Sequence, residues 1–68
     1  MLKISGRNQL PATVKKIQVN GPVAEVIMDC AGNQLTALIT AGSINDLGVT
    51  EGDRVTALVK STSVMLMK

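Results

Sequence analysis

Apolar and polar residues alternate at every second position through most of this chain. In VAEVIMDC, Ala24, Val26, Met28 and Cys30 fall on one face and Glu25, Ile27 and Asp29 on the other, the pattern of a strand with one side buried. LTALIT (35–40) turns Leu35, Ala37 and Ile39 inward, and VTALVK (55–60) does the same with Val55, Ala57 and Val59. ATVKKIQV (12–19) is rich in strand formers, but its alternation slips at Lys15-Lys16. A β-bulge at that point returns Val14, Ile17 and Val19 to a common side. SVMLMK (63–68) is expected to close the chain as a last strand.

Turn residues punctuate these runs. NGP (20–22) and AGN (31–33) have the chemistry of hairpin loops, and TEGD (50–53) that of a tight turn. One segment breaks the two-residue period. In TAGSINDLG (40–48), Ile44 and Leu47 stand three apart, a Ser or Thr is available as cap, and Gly48 can end a helix of two turns at most. Short strands with one interposed helix predict an all-β fold: a small five-stranded barrel of the oligonucleotide/oligosaccharide-binding (OB-like) type.

Size changes this picture in one respect. A domain of 68 residues hides only about 60% of the surface of its unfolded chain, so its own core is marginal. Disulfides, metals and oligomerisation are the usual supports. Cys30 is the only cysteine, and there is no histidine, which leaves a poor ligand set for zinc or copper. Leu38, Leu58, Met65 and Met67 fall on nominally outer faces, an apolar surface that a partner would cover. Oligomerisation is therefore the expected support.

Charge and composition narrow the function. Seven basic and five acidic residues give a net charge of +2, which permits an anionic partner without demanding one. Phe, Tyr and Trp are absent, so the rings on which small barrels stack nucleic-acid bases are missing. Lys15-Lys16 is the only adjacent basic pair, too sparse for a duplex-binding stripe. No apolar run approaches the roughly 20 residues that span a bilayer, and MLKIS passes at once into polar residues. These features point to a cytoplasmic protein with no membrane and no nucleic-acid partner. Without histidine or tyrosine, and with Cys30 lacking an activating base, enzymatic activity is not expected.

Against this plain background SGRNQL (5–10) stands out. Arg7 offers a planar fork of N–H donors suited to oxyanions, Ser5 a hydroxyl, and Asn8 an amide that can donate or tie down a turn. Gly6 allows close backbone approach. Thr40, Lys60 and Ser61, at or just past the ends of two strands, are donors of the same kind. A tetrahedral dianion needs neutralising charge and many directional donors, and Arg7 with Lys60 supplies two charges. The residues alone leave a second reading open, a surface Arg7 paired with a carboxylate while Ser5 and Asn8 shape a turn.

SGRNQL, VNGPVAEV, ALITAGSINDLGV and ALVKSTSVML, in this order along nearly the whole chain, resemble the molbindins, small molybdate-binding proteins built on the Mop domain. The resemblance implies a single Mop domain over residues 1–68. It also implies assembly of OB-like barrels into a homo-oligomer, a hexamer arranged as a trimer of dimers. Molybdate, or tungstate, would be held between subunits as the bound ligand, with no bare metal cation. Ser5, Gly6, Arg7, Asn8, Thr40, Lys60 and Ser61 would form the oxyanion site. Gly6 stands where the family more often has alanine, and Pro11, which removes a backbone donor, is also unusual. The NGPV loop, with Asn20, Gly21 and Val23, is the candidate for a second site near a symmetry axis. Neither a helix-turn-helix nor a P-loop precedes the module, so storage or homeostasis of molybdenum is the expected role. The alternative is an OB-like module that binds nucleic acid or protein through Arg7, Lys15, Lys16 and Lys60.

Overall fold

The computed structural model describes residues 7–68; Ser5 and Gly6 lie outside the described residues. Four strands, β1 (Asn8–Asn20), β2 (Val23–Cys30), β3 (Asn33–Thr40) and β4 (Arg54–Val59), are joined by one helix, α1 (Ala41–Leu47), between β3 and β4. They form one antiparallel sheet in the order β3-β2-β1-β4.

β1 organises the sheet, because its first half pairs with β4 and its second half with β2. Asn8 to Thr13 face Val59 to Arg54, and Thr13 to Asn20 face Asp29 to Val23. Thirteen residues laid straight would run about 40 Å at ~3.3 Å per residue, yet the longest dimension of the molecule is 33 Å. The strand therefore curls, and the sheet curls with it into an open half-barrel.

The bend falls where the alternation slips. The register passes from Val14↔Met28 to Lys16↔Ile27, so Lys15 is the extra residue of a bulge. Beyond it Ile17 faces Val26 and Val19 faces Ala24, which returns both to the side of Val14. The turn before β4 holds the bulge open. Val14 N–H donates to the Asp53 carbonyl (2.9 Å) and Gly52 N–H to the Val14 carbonyl (2.8 Å). Ile17 N–H donates to Glu51 Oε2 (3.2 Å). Asp53 in turn accepts from Thr50 N–H at 2.9 Å. Backbone groups that a bulge leaves without ladder partners are thus satisfied by an adjacent turn.

The core is small. Ala12, Val14, Ala24, Val26 and Met28 are the buried residues, all in β1 and β2. Leu35, Ala37 and Ile39 of β3, Val55 and Ala57 of β4, and Ile44 of α1 pack against it half-buried. These are the inward positions read from the sequence. Leu38 and Leu58 point outward, 71% and 52% exposed.

The closing strand differs from expectation. Ser61–Ser63 form a single 3-10 turn, and residues 64–68 join no sheet. A strand exists by virtue of a neighbour, and Met65, Leu66 and Met67 remain more than nine-tenths exposed. The described sheet thus has four strands and two free edges, β3 and β4.

The two hairpin loops carry the positive φ values that match strand twist. Gly21 has φ +58° before Pro22. In the second loop Ala31 (φ +51°) precedes Gly32 (φ +86°), and Ala31 is the only non-glycine residue with positive φ among those described. Its Cβ crowds the following carbonyl in that conformation. Asn is the residue that best tolerates the first position of such a loop. Ala31→Asn is expected to raise unfolding stability by about 0.5–1 kcal/mol, measured by urea denaturation, whereas Ala31→Val should lower it.

Candidate functional site

The β1–β4 register sets the candidate site. Its last pair is Asn8↔Val59, and Arg7 and Lys60 are the next residue beyond it on each chain segment. Asn8 secures this end of the sheet, its Nδ2 donating to the Val59 carbonyl at 3.0 Å. Just beyond, Lys60 keeps an extended backbone (φ −62°, ψ 140°) and leads into the Ser61–Ser63 turn. That turn is closed by Ser63 N–H donating to the Lys60 carbonyl at 2.9 Å. Arg7, Lys60 and Ser61 are all exposed.

Like charges at one end of an antiparallel pair repel and weaken it. The turn acids lie at the opposite end of β4, Glu51 engaged with Ile17 N–H and Asp53 with Thr50 N–H. Arg7, Lys60 and Ser61, which carry a guanidinium, an ammonium and a hydroxyl, all follow directly on the last pair of the β1–β4 ladder. This donor set suits an anion with several oxygens and offers nothing to a bare cation. Among the described residues no cluster of three or more Cys, Asp or Glu could hold a metal ion.

Thr40 lies at the other end of β1. The sheet pairs Asn20 with Val23 and Val23 with Thr40, and Ala41 N–H donates to the Pro22 carbonyl at 2.9 Å. The structure therefore divides the expected oxyanion set. Arg7, Asn8, Lys60 and Ser61 stand together, while Thr40 joins Asn20, Gly21 and Val23, the residues expected to form a second site. The two groups lie at opposite ends of the thirteen-residue β1 within one copy.

Thr40 also has a local task. Its Oγ1 accepts from Ser43 N–H (3.0 Å) and lies 2.7 Å from Ser43 Oγ, which caps α1 at its start. Gly48, with φ +66°, ends the helix, its N–H donating to the Ile44 and Asn45 carbonyls. Ser43 adds a hydroxyl beside Thr40 that is absent from the expected oxyanion set. The Thr-x-x-Ser spacing at a helix start was the available signal.

Comparison with known proteins identifies the family. A sequence profile of the TOBE domain matches residues 4–66. Molybdenum-pterin-binding protein 2 of Clostridium pasteurianum is 43% identical over 67 residues, covering 97% of this chain and 98% of that protein. The high-resolution structure of a molybdate-binding protein from Sporomusa ovata superposes with a TM-score of 0.94. It is 49% identical, with 98% of this chain and 100% of that one covered. ModG, a cytoplasmic molybdate-binding protein solved with molybdate bound, superposes with a TM-score of 0.87 at 31% identity. That match covers 94% of this chain and 46% of ModG.

The curled sheet with its single helix is thus an OB-like β domain. The chain belongs to the TOBE-domain family, in its molbindin (Mop) group. The relatives named here are binding proteins rather than enzymes, and they do not favour the nucleic-acid or protein-interaction reading. No helix among the described residues is long and apolar enough to cross a membrane.

The capping role of Thr40 is open to test. Thr40→Val removes the cap acceptor and is expected to cost about 1 kcal/mol in thermal unfolding, while Thr40→Ser should keep most of that stability.

Proposed function

We propose that this protein binds molybdate, or the similar tungstate, reversibly and without chemical change, for storage or homeostasis of molybdenum in the cytoplasm. The observation that carries the reading is the Asn8↔Val59 end of the β1–β4 ladder, from which Arg7 and Lys60, the latter followed by Ser61, are each one residue away along the chain. A dianion converts the repulsion of the two cations into two charge-assisted interactions. The relatives named for molybdate binding, one of them full-length at 43% identity and another solved with its ligand, supply the identity of the anion.

The site is completed between copies. Arg7, Asn8, Lys60 and Ser61 hold the anion from one side, joined by Ser5 and the Gly6 backbone, and Thr40 approaches from a neighbouring subunit. Its separation from Arg7 within one copy supports this division of labour. The Asn20–Gly21–Val23 loop, next to Thr40, would form a second site near a symmetry axis. A hexamer, as a trimer of dimers, is the assembly that matches this reading. It would also cover the exposed Leu38 and Leu58 and supply the fifth strand of each barrel.

Calorimetric titration with molybdate, tungstate and sulfate tests the proposal. Molybdate and tungstate are expected to bind, with sulfate in excess displacing little of either. Arg7→Ala and Lys60→Ala should each weaken molybdate about ten- to a hundredfold, from loss of a hydrogen bond to a charged group worth about 1.5–3 kcal/mol. Ser61→Ala should cost only a fewfold. Unchanged molybdate binding in both cation variants would refute the assignment.

A further inference from the structure

Asn8 stands apart from the other described members of the anion cluster at this sheet end. It is half-buried, whereas Arg7, Lys60 and Ser61 are exposed. It has the inward parity of Ala12 and Val14, two buried residues of β1, and its ladder partner Val59 lines the inner cavity of the half-barrel. Paired residues of a ladder turn their side chains to the same face, and the next residue along a strand turns to the other. Lys60 is extended (φ −62°, ψ 140°), so its side chain leaves on the face opposite to that of Asn8. The carboxamide and the ammonium therefore depart from different sides of the sheet end.

The hydrogen bond that Asn8 does make is aimed at the backbone. Its Nδ2 donates to the Val59 carbonyl at 3.0 Å, joining residues 51 apart in sequence. That carbonyl belongs to the same rigid peptide plane as Lys60 N–H. The plane on the other side of Lys60 is held as well, because its carbonyl accepts from Ser63 N–H at 2.9 Å. A residue has only two soft backbone dihedrals. With both flanking planes held, those of Lys60 are set, and with them the direction of its Cα–Cβ bond and the place of Ser61.

We propose that Asn8 is a positioning residue for the anion site: it acts through the Val59–Lys60 peptide plane, sets the Lys60 ammonium and the Ser61 hydroxyl in place, and touches no oxygen of the anion itself. This rests on the anion reading above and specifies the share of Asn8 in it. A lysine side chain loses much rotamer freedom when it takes a fixed partner. A backbone root held in advance leaves only that side chain to be ordered on binding, and preorganisation of this kind is kept as affinity. Asparagine suits the task, being short, a donor, and uncharged. An aspartate here would set carboxylate against carbonyl, acceptor against acceptor, and add a negative charge beside an anion.

Asn8→Leu keeps the shape of the side chain and removes its donor, and Asn8→Ala serves as a second variant. Both are made in the full chain, checked for fold by circular dichroism, and titrated with molybdate alone and in combination with Lys60→Ala. Each is expected to weaken molybdate about tenfold by itself, the worth of one hydrogen bond. In the Lys60→Ala background the loss should shrink to about twofold or less, because residues that act through one another are not additive. Backbone NMR relaxation without molybdate should show lower order parameters at Lys60 and Ser61 in Asn8→Leu, with those of β2 unchanged. An undiminished tenfold loss in the Lys60→Ala background would assign Asn8 to direct contact with the anion and overturn the proposal, as would unaltered affinity or unaltered order parameters at Lys60. If the unsubstituted protein takes up no molybdate, the anion reading falls, and the order parameters by themselves decide whether Asn8 fixes Lys60.

Discussion

The bend in β1 is the constraint on which the rest of this structure depends. One strand must pair with β4 over its first half and with β2 over its second, and a straight strand could not do so around a core this narrow. The extra residue at Lys15 provides the bend. The turn at residues 50–53 stabilises it, because that turn supplies partners for backbone groups at Val14 and Ile17. The same turn starts β4, so the device that bends β1 also positions the strand that pairs with its first half. From there the register runs to Asn8↔Val59, one residue short of Arg7 and Lys60. The candidate site is thus a remote product of a local irregularity eight residues away in sequence.

Much of this was legible in the chain because its causes are local. The slip at Lys15-Lys16 marks the bulge, since side-chain parity changes only when a residue is inserted. Gly48 marks the helix end, because a left-handed cap favours residues without a Cβ. The inward triplets of β3 and β4 follow from alternation alone. The closing strand was not legible in the same way. Val64 to Met67 have strand-like composition, but composition does not say whether a segment pairs with a neighbour, and among the described residues this one pairs with none. The split of Thr40 from Arg7 was equally hidden, because it follows from which strands pair, a long-range fact that no window of sequence contains.

Size gives these features a common logic. Five buried residues, two of them alanine, make a thin core for a chain that must still fix 68 residues. The half-buried inner faces of β3 and β4, the outward Leu38 and Leu58, and the segment beyond Ser63 form a reserve of apolar surface comparable with that core. A larger domain would enclose such surface within itself. A chain this short gains more by sharing it, since every contact made with an identical neighbour is repeated by symmetry.

The place of Arg7 and Lys60 has one more consequence. Asn8, through its bond to the Val59 carbonyl, is the latch nearest to these two cations at the end of the β1–β4 ladder. Any dianion lodged there acts as a clasp on the hem of the sheet, and its presence is felt as slower amide exchange along the first residues of β1. Under the anion reading proposed above, cargo and stiffness would rise and fall together, and the mobility of one strand end would gauge how full the protein is.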